Sequence, residues 1–232
     1  MEIRQCNSAD DVATAGANFI DARVKESISE RGQFTIALSG GSTPWVMLRE
    51  LANHDLPWKQ VRIFQVDERV APDGDAERNL VHIQKNLVAR ISMPIENLYA
   101  MPVTGNDLED EAWQYDAELR EVAGTPPVLD VVHLGLGEDG HTASLVPDDP
   151  VLQVEDRDVA ITDTYFSLKR MTLTFSIINR ARHILWLVTG DGKTEMLDRL
   201  IQGDRRIPAG RVSRQQATVV ADTAALSGIH LK

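Results

Sequence analysis

The stretch VLDVVHLGLGEDGH, residues 128–141, joins a run of apolar residues to a glycine-rich turn. A short apolar run that ends at glycines predicts a buried β-strand, here over 128–134. A strand that is apolar on both sides is typical of a parallel sheet covered by helices on both faces. The stretch therefore indicates an α/β fold, with the turn 135–140 and His141 at the carboxyl end of a central strand.

The same combination of an apolar run and a polar turn recurs on either side of this stretch. Further strands are predicted over 34–38, 61–66, 170–175, 183–188 and 217–221. Helices are predicted over 8–31, 44–53, 79–90, 107–122 and 194–201. Ser8 is the expected N-cap of the first helix and Gly32 its C-terminal stop. This alternation predicts one α/β domain over residues 1–232, with a single doubly wound, mostly parallel sheet of the Rossmann-like kind.

Composition narrows the classes of function. With 43% hydrophobic and 25% charged residues over 232 positions, the chain has the composition of a folded globular protein. Its formal net charge of -11 argues against a general nucleic-acid binder, which needs a basic face. An anionic substrate would instead need a few arginine or lysine side chains beside a glycine-rich turn.

The single cysteine, Cys6, has no partner for an internal disulfide, and nothing around it indicates a catalytic role. The N-terminal segment lacks the apolar run of a signal peptide. No stretch approaches the roughly 18 apolar residues of a membrane span. We therefore expect a cytoplasmic protein, a monomer or homodimer, that binds neither membranes nor nucleic acid.

Four polar turns follow predicted strands. In chain order they are 39–43, 67–69, 135–141 and 190–193. In a doubly wound fold, ligands bind beyond the carboxyl ends of the parallel strands. We therefore expect these four turns to meet in one crevice and to form the functional site.

The first turn, residues 39–43, precedes a proline that is well placed in the first turn of a helix. Gly40 and Gly41 let the backbone approach a ligand closely, and the helix start offers free N–H groups that suit a phosphate. Ser42 and Thr43 add hydroxyl donors. The alternative is an ordinary capped turn without a ligand, and spacing alone leaves it open.

The turn 135–140 matches the G-x-G-x-x-G pattern of dinucleotide sites, but we regard the match as misleading. Glu138 and Asp139 would repel a pyrophosphate, and His141 follows where a helix should begin. An imidazole two residues from a carboxylate instead suits proton transfer near neutral pH. A hydrogen-bonded structural histidine is the alternative. His133, inside the predicted strand, is assigned to the core.

Cationic side chains beside the other turns are candidates for binding an anion. Lys193 is the last residue of one turn, Asp67 and Arg69 are the first and last residues of another, and Arg170 begins a predicted strand. The alternative for Lys193 is a solvated lysine, and the alternative for Asp67 and Arg69 is a surface ion pair. Arg170 could instead be an ordinary residue at a strand edge. Neither a G-x-S-x-G nucleophile elbow nor a zinc-binding spacing occurs. A hydrolase built on this chain would therefore use water activated by a base.

Five motifs occur together in a fixed order. They are LSGGSTP (38–44), DER (67–69), LGLGEDGHTASL (134–145), RMTLT (170–174) and GDGK (190–193). With them the chain resembles the 6-phosphogluconolactonase family, within the larger group that includes glucosamine-6-phosphate isomerase/deaminase, from about Phe34 to Asp222. The resemblance implies hydrolysis of 6-phospho-D-glucono-1,5-lactone in the oxidative pentose phosphate pathway, with no metal and no organic cofactor.

The resemblance also implies roles for individual residues. His141 would be the base, and Arg69, Arg170 and Lys193 would hold the phosphate of the sugar lactone. We add Asp139 as the group that orients the imidazole, and we expect backbone N–H groups of the glycine turns to stabilise the oxyanion. The predicted substrate-binding residues are Gly40, Gly41, Ser42, Thr43, Asp67, Arg69, Arg170 and Lys193.

Two other functions stay open. The deaminases are similar but carry a glutamate shortly after the loop histidine, and alignment on Pro147 puts Val146 at that position. A valine cannot move a proton, which counts against isomerase chemistry. A non-catalytic sugar-phosphate sensor would usually carry a basic DNA-binding helix-turn-helix, whereas the first thirty residues read as one acidic helix.

Overall fold

A computed structural model describes residues 1–229, so residues 230–232 of the predicted domain lie outside the described part. The strands are β1 (Glu2–Cys6), β2 (Phe34–Leu38), β3 (Val61–Gln65), β4 (Asp67–Arg69), β5 (Leu98–Tyr99), β6 (Val131–Leu134), β7 (Val159–Ile161), β8 (Arg170–Leu173), β9 (His183–Val188) and β10 (Ala217–Asp222). The α-helices are α1 (Ala9–Arg31), α2 (Ser42–Leu51), α3 (Asn79–Asn86), α4 (Leu108–Ala123), α5 (Phe175–Arg180) and α6 (Thr194–Gln202).

A seven-stranded parallel sheet forms the centre of the fold, in the order β1-β10-β9-β6-β2-β3-β5. From β2 the chain moves outward to β3 and β5. It then returns to β6, beside β2, and moves outward the other way to β9 and β10. The gap between β2 and β6 is therefore a topological switch point, where a crevice opens beyond the strand ends. The predicted doubly wound, mostly parallel sheet is confirmed.

A second sheet of three antiparallel strands, in the order β4-β8-β7, was not predicted. The strand predicted over 170–175 ends at Leu173 and pairs in this small sheet, and the chain turns into α5 two residues later. Apolar composition predicted this strand, β8, but not its pairing with β4, because β4 lies about a hundred positions earlier in the chain. The register sets Arg69 opposite Arg170.

Four strands escape the sequence pattern. β1 has the sequence EIRQC and lies half exposed at the edge of the parallel sheet, so it shows no apolar run. β4, which was predicted as a polar turn, β5 and β7 are only two or three residues long. All four depend on neighbouring strands for their conformation, which is information that a local pattern does not contain.

The first helix, α1, begins and ends as the sequence predicts. The backbone N–H of Asp11 donates to the Ser8 side chain at 3.1 Å, which satisfies one free donor of the first turn. Gly32 adopts the left-handed conformation with φ of 76°, and its N–H donates to the carbonyl of Ile28.

Helices cover both faces of the parallel sheet, and each face has its own core. Ile20 of α1 and Met47 of α2 are buried on one face, and Leu119 of α4 and Leu197 of α6 on the other. Burying each such side chain stabilises the fold by about 1.5–3 kcal/mol. No helix in the described part of the chain combines the length and apolar composition that a membrane span needs.

Candidate active site

A cleft lies at the switch point, beyond the ends of β2 and β6. All four predicted turns contribute to it, together with the first residue of β8 and the first residue of α3. The lining residues are Ser39, Gly40, Asp67, Arg69, Asn79, Gly135, Leu136, Gly137, His141, Ala143, Arg170 and Lys193. The fold therefore brings together segments that are far apart in sequence.

His141 and Asp139 form a hydrogen-bonded pair at one side of the cleft. Nδ1 of His141 lies 2.6 Å from Oδ1 of Asp139, and the His141 backbone N–H donates to the same oxygen at 3.1 Å. An ionised carboxylate can only accept, so Nδ1 carries a proton, and in the neutral form of the ring Nε2 is the nitrogen with the free lone pair. The imidazole side chain is 27% exposed, so water can reach it.

The Asp139 carboxylate is held in its ionised form. Burial by itself would raise the pKa of Asp139. Hydrogen bonds from the backbone and ring of His141 and from the hydroxyl of Tyr165 outweigh burial, and the pKa lies below its usual value. The ionised carboxylate therefore accepts from the ring N–H of His141 and holds the imidazole in one orientation.

Glycine at position 137 makes room for this pair. A Cβ atom there would lie 2.1 Å from Nδ1 of His141 and 2.6 Å from Oδ1 of Asp139. Gly140 has φ of 83°, and a Cβ there would approach Cβ of Ile207 to 2.7 Å. Gly137 is thus explained by the acid–base pair, and Gly140 by its left-handed backbone and its contact with Ile207, without a dinucleotide.

Two guanidinium groups enter the cleft from the small sheet. Arg69 and Arg170 are register partners across β4 and β8. The Nε atom of each is buried and finds no hydrogen-bond partner within residues 1–229. Burial, and then the charge of Arg69, lower the pKa of Arg170. An oxyanion bound between them would satisfy the free donors and relieve the repulsion of like charges.

Lys193 lines the cleft from the turn before α6, as the sequence predicts. Its Nζ atom lies 3.7 Å from Oε1 of Glu138, whose side chain is largely exposed. An exposed pair at this distance contributes little stability, so the ammonium group is available to an anion in the cleft.

Asp67 and Asn79 form the polar floor of the cleft. Oδ2 of Asp67 accepts from the Ser144 hydroxyl at 2.6 Å, and the amide of Asn79 donates to the Asp67 carbonyl at 2.9 Å. Oδ1 of Asn79 is buried with no donor in the described chain. A Cβ on Gly40 would come within 2.0 Å of that oxygen, so glycine is required there. Asn79 carried no recognisable signal in the sequence, and Ser144 lies within the motif at 134–145 but had no predicted role.

Glu68 explains how Asn79 is held in place. The fully buried carboxylate accepts from the backbone N–H groups of Asn79 and Leu80 at 2.7 and 2.9 Å. It therefore caps the start of α3, where the preceding residue, Arg78, provides no side-chain cap. In the DER motif, Glu68 is thus the buried helix cap, and its two neighbours, Asp67 and Arg69, line the cleft.

The first turn divides into a part in the cleft and a part beside it. Gly40 lines the cleft, whereas Gly41, Ser42 and Thr43 form the start of α2 outside the lining. The hydroxyl groups of Thr43 and Thr189 lie 2.8 Å apart. A phosphate role for the hydroxyls of Ser42 and Thr43 therefore stays a prediction.

His133 lies in the core of β6, as predicted. Its Nδ1 accepts from the backbone N–H of Ser39 at 3.3 Å, which ties the first turn to the central strand. Burial lowers the pKa of His133 to about 3, so the ring is neutral. Among residues 1–229, no group of three or more histidine, cysteine, aspartate or glutamate side chains is arranged to hold a metal ion.

Fold and cleft together define a class of protein: a doubly wound α/β protein with an acid–base pair and cationic side chains in one cleft at its switch point. The family model described as glucosamine-6-phosphate isomerases/6-phosphogluconolactonase matches residues 7–221. The chain belongs to this family.

Individual relatives agree with this assignment. A Synechocystis protein named 6-phosphogluconolactonase is 38% identical over 182 residues, covering 77% of this chain and 75% of the relative. The protein of that name from Mycobacterium tuberculosis is 34% identical and covers 91% of each chain. The solved structure of 6-phosphogluconolactonase from Trypanosoma cruzi superposes with a TM-score of 0.88 at 26% identity, covering 99% of this chain and 97% of that one.

A solved monomeric glucosamine-6-phosphate deaminase has a TM-score of 0.84 at 18% identity, covering 97% of this chain and 98% of that chain. At this identity the likeness concerns the fold alone. The two activities in the family description therefore share one architecture, and the side chains of the cleft must distinguish them.

Proposed function

We propose that this chain hydrolyses 6-phospho-D-glucono-1,5-lactone to 6-phosphogluconate, with His141 as the base that activates water. The observation that carries the proposal is the pairing of His141 with Asp139, which leaves Nε2 free in a cleft that also contains the guanidinium groups of Arg69 and Arg170. The substrate unites the two chemical groups that such a cleft fits, an ester carbonyl and a dianionic phosphate.

The reaction then runs through ordinary general base catalysis. Nε2 of His141 takes a proton from water, and the water oxygen attacks the lactone carbonyl carbon. The tetrahedral intermediate collapses, the bond from that carbon to the ring oxygen breaks, and the imidazolium returns the proton to the departing oxygen. General base catalysis of this kind typically contributes roughly 10²- to 10⁴-fold. Asp139 fixes the tautomer and stabilises the imidazolium.

Phosphate binding supplies the positioning. Arg69, Arg170 and Lys193 hold the phosphate, and the binding energy of this remote group orients the carbonyl at the base. The N–H groups of Gly137 and Gly140 are already engaged within their own turn, at 2.8 and 3.1 Å. We assign the stabilisation of the oxyanion to other backbone N–H groups of the glycine turns.

The chemistry of position 146 supports hydrolysis over isomerisation and deamination. Ring opening and isomerisation of an amino sugar need a proton relay, and Val146 is a buried side chain with no proton to exchange. Hydrolysis of a lactone needs only an activated water and stabilisation of one oxyanion. A cytoplasmic location and a monomeric or homodimeric state stay predictions from the sequence.

An assay with freshly made lactone tests the proposed function. The protein should accelerate loss of 6-phosphogluconolactone well above its spontaneous rate and release no ammonia from glucosamine 6-phosphate. Lactone loss at the spontaneous rate would contradict the proposal, and ammonia release would assign the chain to the sister activity.

A further inference from the structure

Tyr165 lies on a tight turn between β7 and β8, for which the sequence pattern predicts neither an element nor a function. The turn is closed by two backbone hydrogen bonds between Tyr165 and Leu168, at 3.0 and 3.3 Å. Phe166 and Ser167, at its tip, both have positive φ angles. The side chain of Tyr165 points back from this turn to the rim of the cleft.

The hydroxyl of Tyr165 contacts the acid–base pair. It donates to Oδ2 of Asp139 at 3.1 Å, whereas both contacts from His141 use Oδ1. The two oxygens of the carboxylate are thus held by two different segments of the chain. Burial and the Asp139 carboxylate raise the pKa of Tyr165, so the phenol keeps its proton and remains a donor at neutral pH.

The ring of Tyr165 contacts the cationic side of the cleft. The Arg170 guanidinium lies 5.1 Å from the ring centroid, within the range of a cation–π interaction. The His141 ring meets the Tyr165 ring edge-on, with centroids 5.8 Å apart. One side chain therefore contacts the carboxylate, the imidazole and one phosphate-binding guanidinium.

We infer that Tyr165 is a positioning residue that fixes the Asp139 carboxylate through its hydroxyl and the Arg170 guanidinium through its ring. The inference rests on the proposed function of His141 and Asp139. Without the hydroxyl, Oδ2 of Asp139 loses its protein donor and the carboxylate can rotate, so Nε2 of His141 is aimed less well. Without the ring, Arg170 loses the surface that holds its guanidinium towards the phosphate.

Two variants separate the two contacts. Tyr165→Phe removes the hydroxyl but keeps the ring, so kcat should fall roughly 5- to 20-fold with little change in KM. Tyr165→Leu removes both, so it should show the same fall in kcat and, in addition, a KM for the phosphorylated lactone that is about 2- to 5-fold higher. An unphosphorylated lactone should show no such additional rise in KM.

A double-mutant cycle tests whether the hydroxyl acts through Asp139. In an Asp139→Ala background, Tyr165→Phe should produce no further loss of kcat. Tyr99→Phe, which removes a phenol hydroxyl outside the cleft lining, is the matched control and should keep wild-type kinetics.

Either of two results would overturn the inference. One is a Tyr165→Phe variant with wild-type kcat, and the other is an equal loss in the wild-type and Asp139→Ala backgrounds. Failure of the proposed function is a different result, because the wild-type protein itself would then leave the lactone to its spontaneous rate.

Discussion

At the residue scale, the chemistry of the cleft depends on the absence of a side chain at position 137, which is a glycine. The loop folds back so closely that the Asp139 and His141 side chains occupy the space a methyl group would need. The sequence predicts the pair from its spacing and its place after a strand. It could not predict Tyr165 or Asn79, because their contacts join segments that only the folded chain brings together.

Gly137→Ala should therefore damage catalysis more than folding. The added methyl group meets movable side-chain atoms, so the pair is displaced while the fold survives, and kcat should fall at least about tenfold. The measurement is kcat together with the thermal unfolding midpoint.

Gly135→Ala is the matched control, because a Cβ at this position would have no atom of residues 1–229 within 4 Å and the backbone is not left-handed. It should lose far less activity than Gly137→Ala. Equal activity in the two variants would contradict the account of this loop.

Lys193→Ala should raise KM for the phosphorylated lactone by roughly 10- to 100-fold, because a charged hydrogen bond to phosphate is lost. The effect on an unphosphorylated lactone should be much smaller, and steady-state kinetics on both substrates measures the difference. Lys169→Ala removes an exposed lysine outside the cleft lining and is the control. An equal loss on both substrates would remove Lys193 from the phosphate site.

At the element scale, the central strands and their helices follow from local pattern, and the small sheet does not. β2, β9 and β10 are short apolar runs bounded by turns, which a buried parallel strand requires. Of the small sheet, only β8 was predicted as a strand; residues 67–69, which form β4, were predicted as a polar turn, because their antiparallel pairing is decided by contacts between distant residues. That pairing matters for function because it sets Arg69 beside Arg170.

The strand β6 carries a buried histidine whose titration should affect stability. Burial lowers the pKa of His133 from its ordinary value of 6.5 to about 3, so below pH 6.5 the unfolded chain binds a proton that the folded chain does not. Stability should therefore fall as pH decreases from 6.5 towards 3, with a contribution on the order of 1 kcal/mol per pH unit in that window.

Chemical denaturation of the wild type and His133→Gln at several pH values checks this contribution. Glutamine can accept the Ser39 N–H but does not titrate, so the pH dependence should be less steep in the variant. Identical slopes in the two proteins between pH 6 and pH 4 would refute the contribution of His133.

At the scale of the whole molecule, an acidic protein carries a local cationic cleft. The net charge is -11, yet two arginines and a lysine converge where the strand order reverses. This arrangement follows from the topology, since turns distant in sequence meet at one edge of the sheet. The sequence predicts the convergence of the four turns once the fold class is recognised.

The reaction product, 6-phosphogluconate, should stabilise the folded protein. At a concentration 100 times its dissociation constant, a ligand that binds only the folded state adds about 2.7 kcal/mol, which corresponds to about 5–10 °C in Tm for a chain of this size. Differential scanning fluorimetry with gluconate as the unphosphorylated control measures the effect. Arg170→Ala should abolish most of the shift, and an unchanged shift in that variant would place the phosphate elsewhere.

The turnover number of His141→Ala on fresh 6-phosphogluconolactone tests the central claim most directly. If Nε2 of His141 is the base, kcat should fall by roughly 10²- to 10⁴-fold while KM stays within a few-fold of the wild type. A variant that hydrolyses the lactone at the wild-type kcat would contradict the account.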